Sequence, residues 1–358
     1  MLSKRYNFDG KEVIKLSKLQ IQIRNQVATK INDKKYKFEN IDCPICNNKE
    51  FELLSEKDRY GLYSPVVICK NCGLIFSNPR MDQDSYKEFY ISEYRKLYLG
   101  NKKPSDKFFI SQIKRGKNIY NYITQNLNYS FENKFVLEVG CGSGGILKYF
   151  QDKGCVIKGC DLDTEYLTYG KDHHQLDLEY GMLGEISLSE NPDFIIYSHV
   201  MEHILDLNEE LQKIKKILKP NGLLYIEVPS VKYLPQHLEY KSDFLKLLQN
   251  AHTFHFTLTS IKNLLHKNGF TFQYGDEAVH SIFQNETSNE FQLVNDFNDV
   301  LLSLKEAEKY RKIFLLNPFN IKKMIRRKIM TIIDFFHLRE PIKRIVNKIL
   351  HRKNDSLL

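Results

Sequence analysis

Phe135-Val-Leu-Glu-Val-Gly-Cys-Gly-Ser-Gly-Gly145 decides the fold of this 358-residue chain. Phe135 to Val139 reads as a short strand, apolar at four of its five positions. Gly140, Gly142 and Gly144 close it, and Ile146 to Gln151 reads as the helix that follows. A glycine-rich strand-to-helix corner lets backbone approach a ligand closely, because no Cβ stands in the way. The pattern then repeats. Val156-Ile157 begins a strand that ends at Asp161, and a helix starts at Thr164. Phe194-Ile-Ile-Tyr197 is a strand, Leu211 to Leu218 a helix stopped by Lys219-Pro-Asn-Gly222, and Leu223 to Val228 another strand. Ile261 to Lys267, with Gly269-Phe270, feeds a late strand. Strands alternating with helices build βαβ units, and hence a parallel sheet with right-handed crossovers.

The loop alone leaves its ligand open. Gly140, Gly142 and Gly145 also satisfy the dinucleotide pattern G-x-G-x-x-G. Asp161 stands twenty-one residues after Gly140, where a carboxylate accepts both ribose hydroxyls of either NAD or S-adenosylmethionine. Three further segments separate the two. Glu138 lies two residues before the first glycine. Asp193-Phe-Ile-Ile-Tyr-Ser-His-Val-Met-Glu-His203 covers the fourth strand, and Leu218-Lys-Pro-Asn-Gly-Leu-Leu-Tyr-Ile-Glu-Val-Pro229 the fifth. Together, over residues 131–285, these resemble class I S-adenosylmethionine-dependent methyltransferases. The resemblance implies a seven-stranded doubly wound, Rossmann-like α/β sheet whose last strand pair is antiparallel. It implies that Glu138, Gly140, Gly142 and Gly144 line the methionine end of S-adenosyl-L-methionine, that Asp161 holds the ribose, and that Met182–Gly184 flank the adenine. Asn221 stands where a second glycine often precedes Gly222, and asparagine tolerates the same turn.

Upstream, Cys43-x2-Cys46 and Cys69-x2-Cys72 form two knuckles with zinc-ribbon spacing. Four thiolates close a tetrahedral shell and leave no position for substrate, so the Zn2+ reading is structural. Asp58-Arg-Tyr-Gly61, Cys69 to Pro79 and the tyrosine-rich segment Tyr86 to Tyr98 resemble a bacterial subset of these enzymes. Members carry an N-terminal zinc module and act on sugars or surface-polysaccharide precursors. The expected organisation is a helical leader (1–40), the metal module (41–80), bridging helices (81–130), the methyltransferase domain (131–285) and a helical basic tail (286–358).

Cys141, Cys155 and Cys160 sit in apolar or glycine-rich surroundings and read as reduced thiols. With no apolar leader at the N-terminus, the expected location is cytoplasmic. The net charge is +9, but Ile321 to Leu358 carries eleven Lys/Arg against three Asp/Glu. The body is therefore near neutral, which argues against a nucleic-acid surface. In the tail, Ile321, Met324, Ile325, Ile329, Ile332 and Phe336 recur at helical spacing beside Lys322, Lys323, Arg326 and Arg327. Ile342 to Leu350 repeats the pattern. Such helices lie on anionic membrane surfaces, here through 321–353 at the inner membrane, or dock on protein. The oligomeric state is left open.

Methyl transfer to a hydroxyl needs alignment and a proton acceptor, for which histidine suits neutral pH. His199 follows the fourth strand, where such sheets open to their ligands, and reads as a pocket residue near the cofactor. His203 reads as packing beneath the crevice. His252 and His255 lie in Ala251-His-Thr-Phe-His-Phe-Thr257, which matches the family's H-x-x-x-F-[ST] segment. Sugar C-methyltransferases with the zinc module have Glu where this chain has Ala251. The reading is therefore O-methylation of a sugar or glycan-precursor hydroxyl, with His252 as base and His199 and His255 as further candidates. RNA methylation, sugar C-methylation, a non-catalytic zinc or cofactor scaffold, and an NAD-dependent dehydrogenase are the alternatives.

Overall fold

The computed structural model describes residues 1–100, 103–286 and 291–335. Its centre is a seven-stranded sheet among the described residues, with strands β1 (Phe135–Val139), β2 (Val156–Asp161), β3 (Leu178–Tyr180), β4 (Phe194–Ser198), β5 (Leu223–Glu227), β6 (Thr271–Gly275) and β7 (His280–Gln284). The order is β3-β2-β1-β4-β5-β7-β6. β1 pairs in parallel with β2 and β4, in register Phe135↔Val156 and Val136↔Phe194. β7 runs antiparallel to both β5 and β6. The central strands are apolar runs buried on both faces, as parallel strands flanked by helices must be.

Local chemistry sets the helix boundaries. Ser105, Asp163 and Asp206 each accept a backbone N–H from the first turn of the helix they precede. Thr257 and Ser260 form a reciprocal capping box before Leu258–Lys267. Asp106–Leu127 and Gly145–Gln151 cover one face of the sheet and bury Phe109, Ile123, Leu147 and Phe150. Asn221 takes the left-handed conformation (φ 61) that its turn asks for.

The cysteine segment is not a detached bead. Phe51–Lys57, Tyr63–Cys69 and Ile75–Ser77 form an antiparallel sheet, and its fourth strand is Phe254–His255, supplied by the chain after β5. Phe76, Cys72 and Phe254 share one apolar core with Leu137, Ile195 and Leu264 beneath the large sheet. The carbonyl of Pro44 accepts from Asn208 Nδ2 and Lys267 Nζ, tying the first knuckle to two helices of the α/β layer. The leader is helical over Lys18–Asn32, and Tyr6 ahead of it is wholly buried.

The tyrosine-rich segment is one continuous helical rod: an α-helix (Gln83–Phe89), a π-helical turn (Tyr90–Tyr94) and an α-helix (Arg95–Leu99). The Tyr86 hydroxyl lies between the carbonyls of His203 and Ala251, at 2.9 and 2.8 Å. The rod is thus laid across the loops that follow β4 and β5.

Candidate functional site

The sheet reverses its direction of travel between β1 and β4. In open α/β sheets that switch leaves a crevice outside the C-terminal strand ends. Glu138, the glycine loop, Asp161, His199, Glu202 and Glu227 all gather there.

Gly140, Gly142 and Gly144 all have positive φ, at 71°, 54° and 74°. Gly142 is the informative one. A Cβ there would meet only Tyr166, 3.8 Å away, so the residue faces open space rather than packed core. Its N–H donates to Asp161 Oδ2 at 2.8 Å, and the Asp163 N–H donates to Asp161 Oδ1 at 2.8 Å. The acid at the end of β2 is thereby clamped to the loop with lone pairs remaining on both oxygens. Glu138 is buried, and its Oε2 has no hydrogen-bond partner. Burial drives its carboxyl well above the usual range, with the Arg115 charge opposing. An orphaned acceptor beside an open glycine cradle suits a ligand bearing a cationic amine, and Asp161 suits a ribose diol. These residues fit S-adenosylmethionine. Met182 lies just past β3, 42% exposed, with its N–H held by Glu185.

Gly142→Val offers a direct check of the cradle. The side chain costs about 1–2 kcal/mol through its left-handed backbone and fills the ligand's space. S-adenosylhomocysteine affinity, read by calorimetry, should fall more than tenfold while the protein still melts cooperatively. Unchanged affinity would place the cofactor elsewhere.

Facing the loop, His199 takes a strained left-handed conformation (φ 58) just past β4. Its side chain is 39% exposed, with Nδ1 3.4 Å from Glu202 Oε1 and Nε2 3.7 Å from Glu227 Oε1. Burial would lower its pKa, but Glu202 and Glu227 outweigh that and the net shift is upward. Glu227 is gripped by Arg115 at 2.7 Å and approached by His280 Nε2 at 3.6 Å. Despite burial, His199, His280 and Arg115 together hold its carboxyl well below the usual range. Glu202 is 2% exposed, and apart from the 3.4 Å approach of His199 Nδ1 to Oε1 neither carboxylate oxygen has a partner.

His252 and His255 sit deeper. Arg59 can only donate, so Gln249 must present its oxygen to the guanidinium. The Gln249 amide NH2 then faces His252 Nε2, which must accept, leaving the proton of the neutral ring on Nδ1. Burial, reinforced by His203, His255 and Arg59, keeps His252 neutral. His255 is likewise buried, and desolvation pushes it down to about 3. His203 donates its Nδ1–H to the Ala251 carbonyl, packs edge-on against His252, and lies against the Tyr90 and Tyr94 rings. The structure therefore brings His199 to the crevice with the cofactor residues and sets His252 one layer behind it, with His255 on the strand Phe254–His255.

Sequence reasoning passed over Glu202, Glu227 and Arg115 as functional groups. Glu227 carried a readable signal, being a carboxylate at the C-terminal end of a core strand. Arg115 had none, since its partner lies 112 positions away.

The four metal-segment cysteines converge as expected. Their ligand atoms all lie within 4.8 Å of one another, with Cys43–Cys72 at 3.4 Å and Cys46–Cys69 at 3.5 Å. Tetrahedral Zn–S bonds of 2.3 Å set sulfurs about 3.8 Å apart. Each knuckle turns through a positive φ right after its second cysteine, at Asn47 (φ 55) and Gly73 (φ 77). At Gly73 a Cβ would strike the backbone of Asp296 at 2.7 Å. The donor set fits one closed-shell ion. Cys141, Cys155 and Cys160 are buried and unpaired, and burial pushes Cys155 up to about 11 and Cys160 to about 12.

Residues 111–274 match a family model described as a methyltransferase domain. Among curated relatives, a ubiquinone biosynthesis O-methyltransferase from Haemophilus ducreyi is 30% identical over 118 residues, 30% of this chain and 50% of that protein. A malonyl-[acyl-carrier protein] O-methyltransferase from Enterobacter lignolyticus is 30% identical over 28% of this chain and 41% of that protein. The chain thus spans about half the length of the curated relatives it matches. A solved S-adenosylmethionine dependent methyltransferase from Mesorhizobium loti aligns at 14% identity and TM-score 0.36, over 46% of this chain and 94% of that one.

Proposed function

We propose that the methyltransferase domain at residues 111–274 transfers a methyl group from S-adenosyl-L-methionine to a hydroxyl of a sugar or glycan precursor, and that the four cysteines hold a structural Zn2+. The observation that carries the cofactor is Glu138: a buried carboxyl group with an orphaned oxygen, on the strand that leads directly into an open glycine loop whose neighbouring acid is already clamped. Oxygen as the acceptor atom is supported by the names of the curated relatives, both O-methyltransferases. Ala251 supports it from the sequence, since it leaves the acceptor loop without an acid beside His252.

When bound, S-adenosylmethionine supplies the methyl and the leaving group. The chain's own residues align the acceptor and take its proton. We assign that proton to His199 rather than His252. His199 faces the crevice between two carboxylates, whereas the Nε2 of His252 is engaged by Gln249. Glu202 and Glu227 orient the imidazole and stabilise the imidazolium formed. The Arg59–Gln249–His252 chain fixes the wall behind it.

The first test is calorimetry with S-adenosylhomocysteine and with NAD, followed by radiolabelled methyl transfer into sugar-nucleotide, glycolipid and RNA pools. Binding of NAD in place of S-adenosylhomocysteine, or label found only in RNA, overturns the reading. With an acceptor in hand, His199→Ala should lower kcat by about 10²–10⁴ with cofactor affinity within a few-fold. The pH profile distinguishes a base from a packing residue. The two carboxylates raise the His199 pKa, so the neutral form, and the rate, grow as pH rises through that value. Glu202→Gln removes one of them and should move the acid limb to lower pH. An unmoved limb would remove His199 from the role.

A further inference from the structure

Helix Pro318–Phe335 stands out from the rest of the molecule. From Ile321 to Met330 every side chain except Met324 is exposed. Large apolar groups are among them: Ile325 is 52% and Ile329 50% exposed, Phe319 in the first turn is 70% exposed, and just before the helix Leu316 is 75% exposed. Ile321, Ile325 and Ile329 recur every four residues and form one stripe, flanked by half-buried Met324. Lys322, Lys323, Arg326, Arg327 and Lys328 crowd the same three turns, and no acidic residue occurs between Asn317 and Ile333. The second half of the expected basic tail, 336–353, lies outside the described residues.

We propose that this helix is a peripheral membrane-docking element that lies on an anionic phospholipid surface. Its stripe of isoleucines, with Phe319 and Leu316, enters the acyl boundary, and its cations meet the headgroups. Two other occupants fit the same residues less well. A nucleic acid matches the charge but gains nothing from a row of bare isoleucines. A second copy packed about a two-fold axis could cover the stripe, yet it would set five cations against five of the same sign. A lipid surface satisfies both features at once.

Membrane docking itself does not depend on which acceptor the enzyme uses.

The test is co-sedimentation of the full chain with phosphatidylcholine vesicles and with vesicles of equal parts phosphatidylcholine and phosphatidylglycerol. The expected result is binding to the second kind only, weakening as salt rises. Lys322→Glu/Lys323→Glu/Arg326→Glu should reduce partitioning on the order of a hundredfold, at roughly fivefold per cation lost. Ile325→Ser/Ile329→Ser should reduce it at least tenfold with all charges kept. These positions are exposed, so both variants should melt as the wild type does and bind S-adenosylhomocysteine equally, which keeps docking separate from the cofactor reading. Equal binding to both vesicle types overturns the proposal. So does serine-variant partitioning that matches wild type, which would mark a polyanion-binding surface such as one for nucleic acid. A wild-type dimer that the serine variant converts to monomer also overturns it, by assigning the stripe to a second copy.

Discussion

Cys72→Ser is expected to unfold the acceptor side of the molecule. Its sulfur is one of four that converge within 4.8 Å, and under the proposal that these hold Zn2+ the three thiols left would no longer close its shell. Structural zinc contributes about 10–16 kcal/mol in zinc-finger peptides. In a chain with a large separate sheet, a loss on the order of 5 kcal/mol or more is expected. The damage should follow the hydrogen bonds. Ile75–Ser77 pairs with Phe254–His255, and Ser77 N–H donates to the Thr253 carbonyl. Residues 43–77 and 249–257 should therefore lose amide exchange protection together, while β1, β2 and the glycine loop keep theirs longer. Where the variant is too unstable to isolate, chelator titration of the wild type followed by hydrogen exchange gives the same readout. A metal-free protein with wild-type melting temperature and protection would remove the cysteines from any structural role.

The second large effect concerns Asp161. Its two oxygens accept the N–H groups of Gly142 and Asp163, and the same carboxylate is placed to accept a ribose diol. Two hydrogen bonds to a charged group contribute about 1.5–3 kcal/mol each. Asp161→Ala should thus weaken S-adenosylhomocysteine by roughly 10²–10⁴ and loosen the loop as well. Asp161→Asn keeps one acceptor oxygen and should fall between. Calorimetric affinity within threefold of wild type for the alanine variant would show that the ribose is held by other residues.

The contrast between what sequence conveyed and what it hid is physical. The glycine loop, Asp161, the cysteine knuckles and the βαβ alternation are local patterns, and each was legible because its partners lie within about thirty positions in the chain. The seven-strand count and the antiparallel last pair came through resemblance rather than periodicity. Long-range pairings were invisible: Arg115 on Glu227, and Arg59 on Gln249, which lies 190 positions on. That last contact turns the Gln249 amide toward Nε2 of His252, the histidine that the motif offered as a base. A motif fixes which residues are near one another, but not which lone pair of an imidazole is already engaged. β3, at three residues, was too short to show a period.

One consequence of the shared sheet lies in the order of synthesis. Under the proposal that they hold Zn2+, the knuckle cysteines, residues 43–72, would be free to close around it as soon as they leave the ribosome. The strand that caps their sheet, Phe254–His255, does not yet exist. Until the chain reaches residue 255, Ile75–Ser77 presents an unpaired, apolar edge to any neighbouring nascent chain. N-terminal fragments that stop short of this strand should therefore aggregate even when loaded with metal, and the late arrival of one two-residue strand governs how safely the whole chain can be made.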